Sequence, residues 1–149
     1  MIRGYDHTSF TVASIDATLA FWRDAMGFTV ASDSVREGPF LGAVVGVPGA
    51  RARIAHLHGH GVHMEFIEYL EPKGAVARPA PNDRLAAHVA FVSDDIEGDV
   101  ARLRAAGATL QGAVTGVPSG PYRGASAVYL RDPNGVIVEL YQPPEGTGP

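Results

Sequence analysis

Two histidines and two glutamates recur at matching places in the two halves of this chain. His7 and His88 each open a strand-like run, and Glu65 and Glu139 each lie among apolar residues of a later strand-like run. Two imidazoles and two carboxylates suit Zn²⁺, Ni²⁺, Co²⁺, Mn²⁺ or Fe²⁺ and leave coordination positions for water or substrate. The sequence therefore predicts a divalent-metal site with these four ligands. The alternative, hydrogen-bonded core histidines and solvent-facing glutamates, is less favoured because all four recur together.

The elements that must position these residues follow one order, β-α-β-β-β, in each half. Residues 5–13 alternate as a strand, Ser14 suits a helix N-cap, and apolar spacing predicts a helix over 15–26. The second half repeats this order with a strand over 85–92 and a helix over 96–106. Further strands are predicted over 28–33, 51–58, 62–70, 109–115, 125–130 and 136–141. Residues 34–50 are predicted to be a loop with a short turn of helix.

Alternation within the strands predicts which way the four candidate ligands point. Successive side chains of a strand point to opposite faces, so His7 lies opposite the apolar Phe10. His88, Glu65 and Glu139 likewise fall on the face opposite the helices. All four line one concave surface if the sheets curl. The expected fold is α+β, with paired βαβββ modules forming a curled mixed-sheet trough.

The length of 149 residues suits a single domain with a sizeable apolar core. We expect one domain over 1–149, made of module 1–70 and module 85–143. Residues 71–84 contain three prolines and are the predicted linker between the modules.

Composition excludes several functions. The chain has a net charge of −4 and no run of Lys or Arg, so neither a nucleic-acid nor a membrane partner is predicted. It has no cysteine, which excludes disulfides, thiolate metal sites and cysteine nucleophiles. No signal-like segment is visible at the N-terminus, and the expected location is the cytoplasm.

Two further groups of residues are weak candidates for substrate binding. Four histidines surround the predicted hairpin, which we interpret as a polar, partly exposed turn: His56, His58, His60 and His63. Of these, His63 shares the predicted face of Glu65 and is a candidate in the pocket. The loop over 116–124 is either an exposed turn or a lid whose Tyr122 and Arg123 touch substrate.

Five segments carry a resemblance to a known family. They are DHTSFTV (6–12), AFWRDAMGF (20–28), EFIEY (65–69), HVAFV (88–92) and DPNGVIVEL (132–140). On these segments the chain resembles the vicinal-oxygen-chelate superfamily, which has the glyoxalase/bleomycin resistance/dioxygenase fold. That superfamily includes glyoxalase I, methylmalonyl-CoA epimerase, fosfomycin-resistance proteins, extradiol dioxygenases and bleomycin-resistance proteins.

The resemblance implies that substrate oxygens chelate a metal held in a trough between paired modules. All four ligand positions are filled here, as in glyoxalase I. Methylmalonyl-CoA epimerase has Gln where Glu65 stands, and extradiol dioxygenases use two His and one Glu. Bleomycin-binding relatives lack this ligand set. Members are commonly homodimers, and the site forms either within one chain or across a dimer interface.

These expectations combine into one predicted function. The chain is predicted to be a metal-dependent lyase, isomerase or epimerase that stabilises an enediolate or enolate of a small α-oxygenated carbonyl substrate. Glu139 is the predicted base, with Glu65 as its partner. The alternatives are an Fe²⁺ extradiol-type dioxygenase and a non-catalytic drug- or metabolite-binding protein.

Overall fold

The computed structural model describes residues 1–147 and shows an α+β protein with two mixed sheets. The chain divides into two compact units, Met1–Ala77 and Arg78–Pro149, of which the second includes two residues outside the described range. Each unit follows the β-α-β-β-β plan, with a helix added between the second and third strands of the first unit and a fifth strand in the second, so the predicted βαβββ-type modules are confirmed. The curling of the sheets into a trough stays a prediction. That the units form a single domain stays a prediction.

The first unit contains a four-stranded sheet in the order β1-β4-β3-β2. Its strands are β1 Thr8–Thr11, β2 Thr29–Arg36, β3 Arg51–Gly59 and β4 Val62–Glu71. Its helices are α1 Ile15–Thr18, which continues as a π-helical turn over Leu19–Arg23, and α2 Pro39–Val45. β1 pairs parallel to β4, and the other pairs are antiparallel.

The second unit repeats this arrangement in the order β5-β9-β8-β6, with β7 also paired to β8. Its strands are β5 His88–Val92, β6 Thr109–Leu110, β7 Thr115–Gly116, β8 Ser126–Arg131 and β9 Ile137–Gln142. Its helix is α3 Ile96–Ala105. Here too the first strand pairs parallel to the last, β5 with β9, and the other pairs are antiparallel.

The parallel pair of each unit has the same register. Ser9 lies opposite Glu65 in the first unit, and Ala90 lies opposite Glu139 in the second. Since strand side chains alternate between faces, the histidine two positions before each small residue shares the face of the glutamate. The internal repeat seen in the sequence is therefore a structural repeat.

The glutamate-bearing strand of each unit also caps the helix of that unit. Glu68 of β4 accepts a hydrogen bond from Ile15 N at 2.9 Å, and Gln142 of β9 accepts one from Ile96 N at 2.8 Å. Both acceptors lie three residues after the site glutamate. Because the first N–H groups of a helix have no partner within the helix, these side chains fix each helix against the strand that carries Glu65 or Glu139.

A cluster of aromatic residues forms the core of the first unit. Trp22 is fully buried, and its ring lies 5.0 Å from the ring of Phe66 and 5.4 Å from that of Phe28. In the second unit the largest fully buried side chains are aliphatic: Leu103, Leu130 and Val138. No helix within residues 1–147 is long and apolar enough to cross a membrane.

Two segments differ from the sequence-based expectations. The strand predicted over 109–115 is interrupted after Leu110, where the side chain of Gln111 accepts a hydrogen bond at 2.8 Å from Nε of the buried Arg131. The 34–50 segment contains α2, which is longer than a single turn. Its Leu41 packs with Ala50 and Ala52 in a small cluster of buried residues.

We expect Glu68→Ala to lower the free energy of unfolding by about 1 kcal/mol, the usual cost of losing a helix-capping acceptor. Glu68→Gln should cost much less, because an amide oxygen also accepts from Ile15 N, as Gln142 does from Ile96 N. Urea denaturation monitored by circular dichroism measures both. Equal destabilisation by the two substitutions would contradict the capping role.

Candidate functional site

The first unit brings His7 and Glu65, two of the candidate ligands, close together. Nε2 of His7 lies 3.3 Å from Oε1 of Glu65, and the two side chains are 31% and 14% exposed. The other ring nitrogen, Nδ1, lies 2.6 Å from Oδ2 of Asp6. His7 immediately precedes β1 and Glu65 lies in β4, so the parallel pairing of these strands brings the imidazole and the carboxylate together.

The second unit repeats the pair with His88 and Glu139. Nε2 of His88 lies 3.2 Å from Oε2 of Glu139, and the side chains are 42% and 22% exposed. The hydroxyl of Tyr129 lies 3.4 Å from the same histidine nitrogen. Each unit thus presents one imidazole nitrogen and one carboxylate oxygen at nearly the same separation.

Two further histidines of the first unit surround Glu65. His56 lies directly opposite Glu65 on β3, and its Nε2 is 3.4 Å from Oε2 of the glutamate. Nδ1 of His56 lies 3.0 Å from Nε2 of His63, whose own Nδ1 is 3.9 Å from Oδ2 of Asp6. The contacts close a ring of polar side chains, which we call the histidine ring: Glu65, His7, Asp6, His63 and His56.

Electrostatics within the histidine ring differ between its members. The hydrogen bond that Nδ1 of His7 donates to Asp6 raises the pKa of His7 above its ordinary value, and the same bond lowers the pKa of Asp6. Burial lowers the pKa of His56, although the charge of Glu65 opposes that shift. His56 is therefore held as the neutral imidazole, the form that binds metals.

Tyr129 takes the place in the second unit that His56 has in the first, since it lies opposite Glu139 on the neighbouring antiparallel strand. Burial raises the pKa of Tyr129, and the nearby charge of Glu139 raises it further. The phenol therefore stays protonated beside the carboxylate, where it can donate a hydrogen bond.

A cavity of about 420 Å³ lies in the second unit beside this pair. Its lining includes Glu139, Tyr122, Tyr141 and the small Ala90 and Ala127. The rings of Tyr122 and Tyr141 meet edge to face, with centroids 5.7 Å apart. The lining is mainly apolar with one carboxylate, which is typical of a small-molecule pocket.

The weak substrate-binding candidates fall in different places. Tyr122 lines the cavity of the second unit, whereas Arg123 is not among the described residues of that lining. His63 belongs to the histidine ring of the first unit.

Sequence reasoning missed the contacts of Asp6 and His56 with the predicted ligands. For Asp6 the signal was its place next to His7, but His56 required the register between β3 and β4.

The donor chemistry of both pairs fits a divalent transition metal. Imidazole nitrogen and carboxylate oxygen are the usual protein ligands of Zn²⁺, Ni²⁺, Co²⁺, Mn²⁺ and Fe²⁺. Asp6, His7 and His63 also each offer a donor atom within 4.8 Å of the others. The first unit is thus richer in metal-binding groups than the sequence prediction assumed.

Comparison with known proteins agrees with this geometry. Residues 4–140 match the family model of the Glyoxalase/Bleomycin resistance protein/Dioxygenase superfamily. No curated protein matches the chain.

Several solved structures share the fold. A glyoxalase family protein from Bacillus cereus is 23% identical with a TM-score of 0.84, and the match covers 97% of this chain and 96% of that one. A glyoxalase family protein from Enterococcus faecalis is 20% identical with a TM-score of 0.67, covering 93% and 97%. The fosfomycin resistance protein FosX from Listeria monocytogenes is 17% identical with a TM-score of 0.66, covering 97% of each chain. The chain belongs to the glyoxalase/bleomycin resistance protein/dioxygenase superfamily, also known as the vicinal-oxygen-chelate superfamily.

Proposed function

We propose that this protein is a metal-dependent lyase, isomerase or epimerase acting on a small α-oxygenated carbonyl compound. One observation carries the proposal: each unit presents a histidine–glutamate pair at the same register position, with nitrogen–oxygen separations of 3.3 and 3.2 Å. The proposed ligands are His7, Glu65, His88 and Glu139. The site forms either within one chain or between two chains of a homodimer.

The separations within each pair support the proposed ligand set. Two donors that each lie about 2.1 Å from one ion at angles between 90° and 110° are roughly 3.0 to 3.4 Å apart. The His7–Glu65 and His88–Glu139 separations fall in that range. The four side chains are between 14% and 42% exposed, so an ion from solution can reach them.

The cavity beside Glu139 supports a small substrate with an apolar part. Its volume of about 420 Å³ lies within the usual range of small-molecule pockets, about 300 to 1,000 Å³. Tyr122 and Tyr141 offer aromatic surface to the substrate, and Glu139 is the charged group of the lining. We propose that the reacting carbon of the substrate lies at Glu139.

In the proposed reaction, a bound metal ion and the side chains of the protein have separate roles. When bound, a divalent ion acts as a Lewis acid that stabilises negative charge on a substrate oxygen. In an isomerase, Glu139 takes a proton from the hydroxyl-bearing carbon beside the carbonyl and delivers it to the former carbonyl carbon, while the hydroxyl proton passes to the former carbonyl oxygen. In an epimerase, Glu65 is the proposed partner for the second proton transfer. Tyr129, protonated beside Glu139, orients the carboxylate through a hydrogen bond.

Metal binding is the direct test. We expect purified protein treated with a chelator to bind about one equivalent of Ni²⁺, Co²⁺, Zn²⁺ or Mn²⁺, with a rise in melting temperature. Isothermal titration calorimetry and a thermal melt measure these effects. His88→Ala should weaken binding because it removes a proposed ligand, whereas His60→Ala, at the hairpin turn, is the matched control. Absence of any metal binding would exclude the proposed enzyme.

Turnover should be tested on metal-loaded protein with α-ketoaldehyde–thiol adducts, acyl-CoA epimers and catechols. We expect Glu139→Gln to reduce kcat by about 10²- to 10⁴-fold on the substrate that reacts, the usual contribution of a general base. Metal content is measured in parallel. Unchanged turnover by a metal-loaded Glu139→Gln protein would contradict the assignment of the base. Oxygen uptake with a catechol and Fe²⁺ would instead identify a dioxygenase.

Tyr129 offers a test of the charge on Glu139 that needs no substrate. In metal-free protein, Glu139→Gln should lower the pKa of Tyr129, because the negative charge that disfavours the phenolate is removed. The pKa should stay above its ordinary value, since burial, the larger cause, remains. Carbon NMR of labelled tyrosine across alkaline pH measures the shift. An unchanged Tyr129 pKa would show that Glu139 carries no charge there, and Glu97→Gln serves as the control.

A further inference from the structure

We propose that Asp6 is a positioning residue that orients His7 for metal binding, and that the first unit consequently holds the ion more tightly than the second. This inference rests on the proposed metal site. It goes beyond that site by assigning a role to Asp6, a residue outside the set of four ligands, and by ranking the two histidine–glutamate pairs.

The geometry at His7 uses both ring nitrogens. Nδ1 lies 2.6 Å from Oδ2 of Asp6, and Nε2 lies 3.3 Å from Oε1 of Glu65. A neutral imidazole carries its proton on one nitrogen and a lone pair on the other. The hydrogen bond to Asp6 places the proton on Nδ1, so the lone pair of Nε2 points toward Glu65. A carboxylate that accepts the second N–H of a metal-binding histidine fixes the ring and makes the imidazole a stronger ligand.

The short distance between Asp6 and His7 also distinguishes a positioning role for Asp6 from direct binding of the metal. Two ligands about 2.1 Å from one ion at a right angle are about 3.0 Å apart. The Asp6–His7 separation of 2.6 Å is shorter and suits a charge-assisted hydrogen bond. Asp6 and Nδ1 of His7 therefore meet each other in this arrangement and do not flank an ion.

The histidine ring restrains Glu65 as well. Oε1 of Glu65 lies near His7, and Oε2 lies near Nε2 of His56, whose Nδ1 is 3.0 Å from His63. His63 in turn lies 3.9 Å from the carboxylate of Asp6. Both His7 and Glu65 are thus held by contacts on the side away from each other. These contacts lower the entropic cost of ordering the two side chains around an ion.

Within residues 1–147, no carboxylate holds His88 as Asp6 holds His7. Residue 87, which precedes His88 as Asp6 precedes His7, is alanine. The side chain of His88 is 42% exposed, against 31% for His7. Its described polar contacts are with Glu139 and with the hydroxyl of Tyr129. The second pair is held by fewer described contacts, so the carboxylate of Glu139 would be freer to take up a substrate proton.

The experiment measures the metal affinity and the His7 tautomer of the same variants. We expect Asp6→Ala and Asp6→Asn to weaken Ni²⁺ or Zn²⁺ binding about tenfold in competition with a chelator, the low end for loss of such a partner. Nitrogen NMR of metal-free protein, at a pH where the imidazole is neutral, should show the Nδ1–H form of His7 in the wild type and its loss in Asp6→Ala, which has no acceptor at this position. Asp24→Asn removes a similar exposed charge of the first unit and serves as the control.

The reciprocal variant is Ala87→Asp, which places a carboxylate before His88. It should tighten metal binding and raise the proton occupancy of Nδ1 of His88. Unchanged affinity and tautomer in Asp6→Ala would overturn the inference. Loss of a whole equivalent of bound metal in Asp6→Asn would also overturn it, because Asp6 would then be a ligand. If the wild type binds no metal, the proposed function fails, whereas the tautomer measurement on metal-free protein still tests the role of Asp6.

Discussion

The parallel pairing of the first and last strands in each unit is the constraint on which the candidate site depends. In both units this pairing sets the small residue, Ser9 or Ala90, opposite the glutamate. The histidine two residues earlier then shares the face of that glutamate, since side chains alternate along a strand. A shift of one residue in either register would turn a carboxylate toward the helix side of its sheet. The register of the paired strands therefore fixes which side chains lie in the candidate site.

The same strands connect the site to the rest of each unit. Glu68 and Gln142 point to the opposite face from the site glutamates and accept the first helical N–H groups. Phe66, next to Glu65, contacts the buried ring of Trp22. Burial of the apolar face thus fixes the position of the polar face, because both faces belong to one strand. Core packing in this way fixes the positions of the candidate ligands before any ion binds.

The two units share a backbone plan but differ in the polar groups around it. Position for position, His56 of β3 corresponds to Tyr129 of β8, and Asp6 corresponds to Ala87. The first unit surrounds its glutamate with imidazoles, whereas the second places its glutamate beside a phenol and a mainly apolar cavity. This difference agrees with the proposal that the first histidine–glutamate pair holds an ion more tightly than the second.

Much of the fold and of the candidate site could be predicted from the sequence. The repeat of His and Glu, the alternation of the strands and the caps of the helices depend on local periodicity and side-chain chemistry, which the sequence contains directly. These patterns gave the βαβββ modules and the His7–Glu65 and His88–Glu139 pairs. The interruption after Leu110 and the length of α2 were not foreseen, because both depend on contacts with residues distant in the chain, such as Arg131 and Ala52.

By itself, the sequence determined which four residues could bind a metal, through their types and their repeat. Only the tertiary structure decided how each pair is surrounded. Asp6 is adjacent to His7 in sequence, yet its hydrogen bond to Nδ1 matters because β4 brings Glu65 to the other nitrogen. His56 and Tyr129 reach their glutamates through antiparallel register across neighbouring strands. Such contacts join residues far apart in the chain, and no local pattern encodes which strand lies beside which.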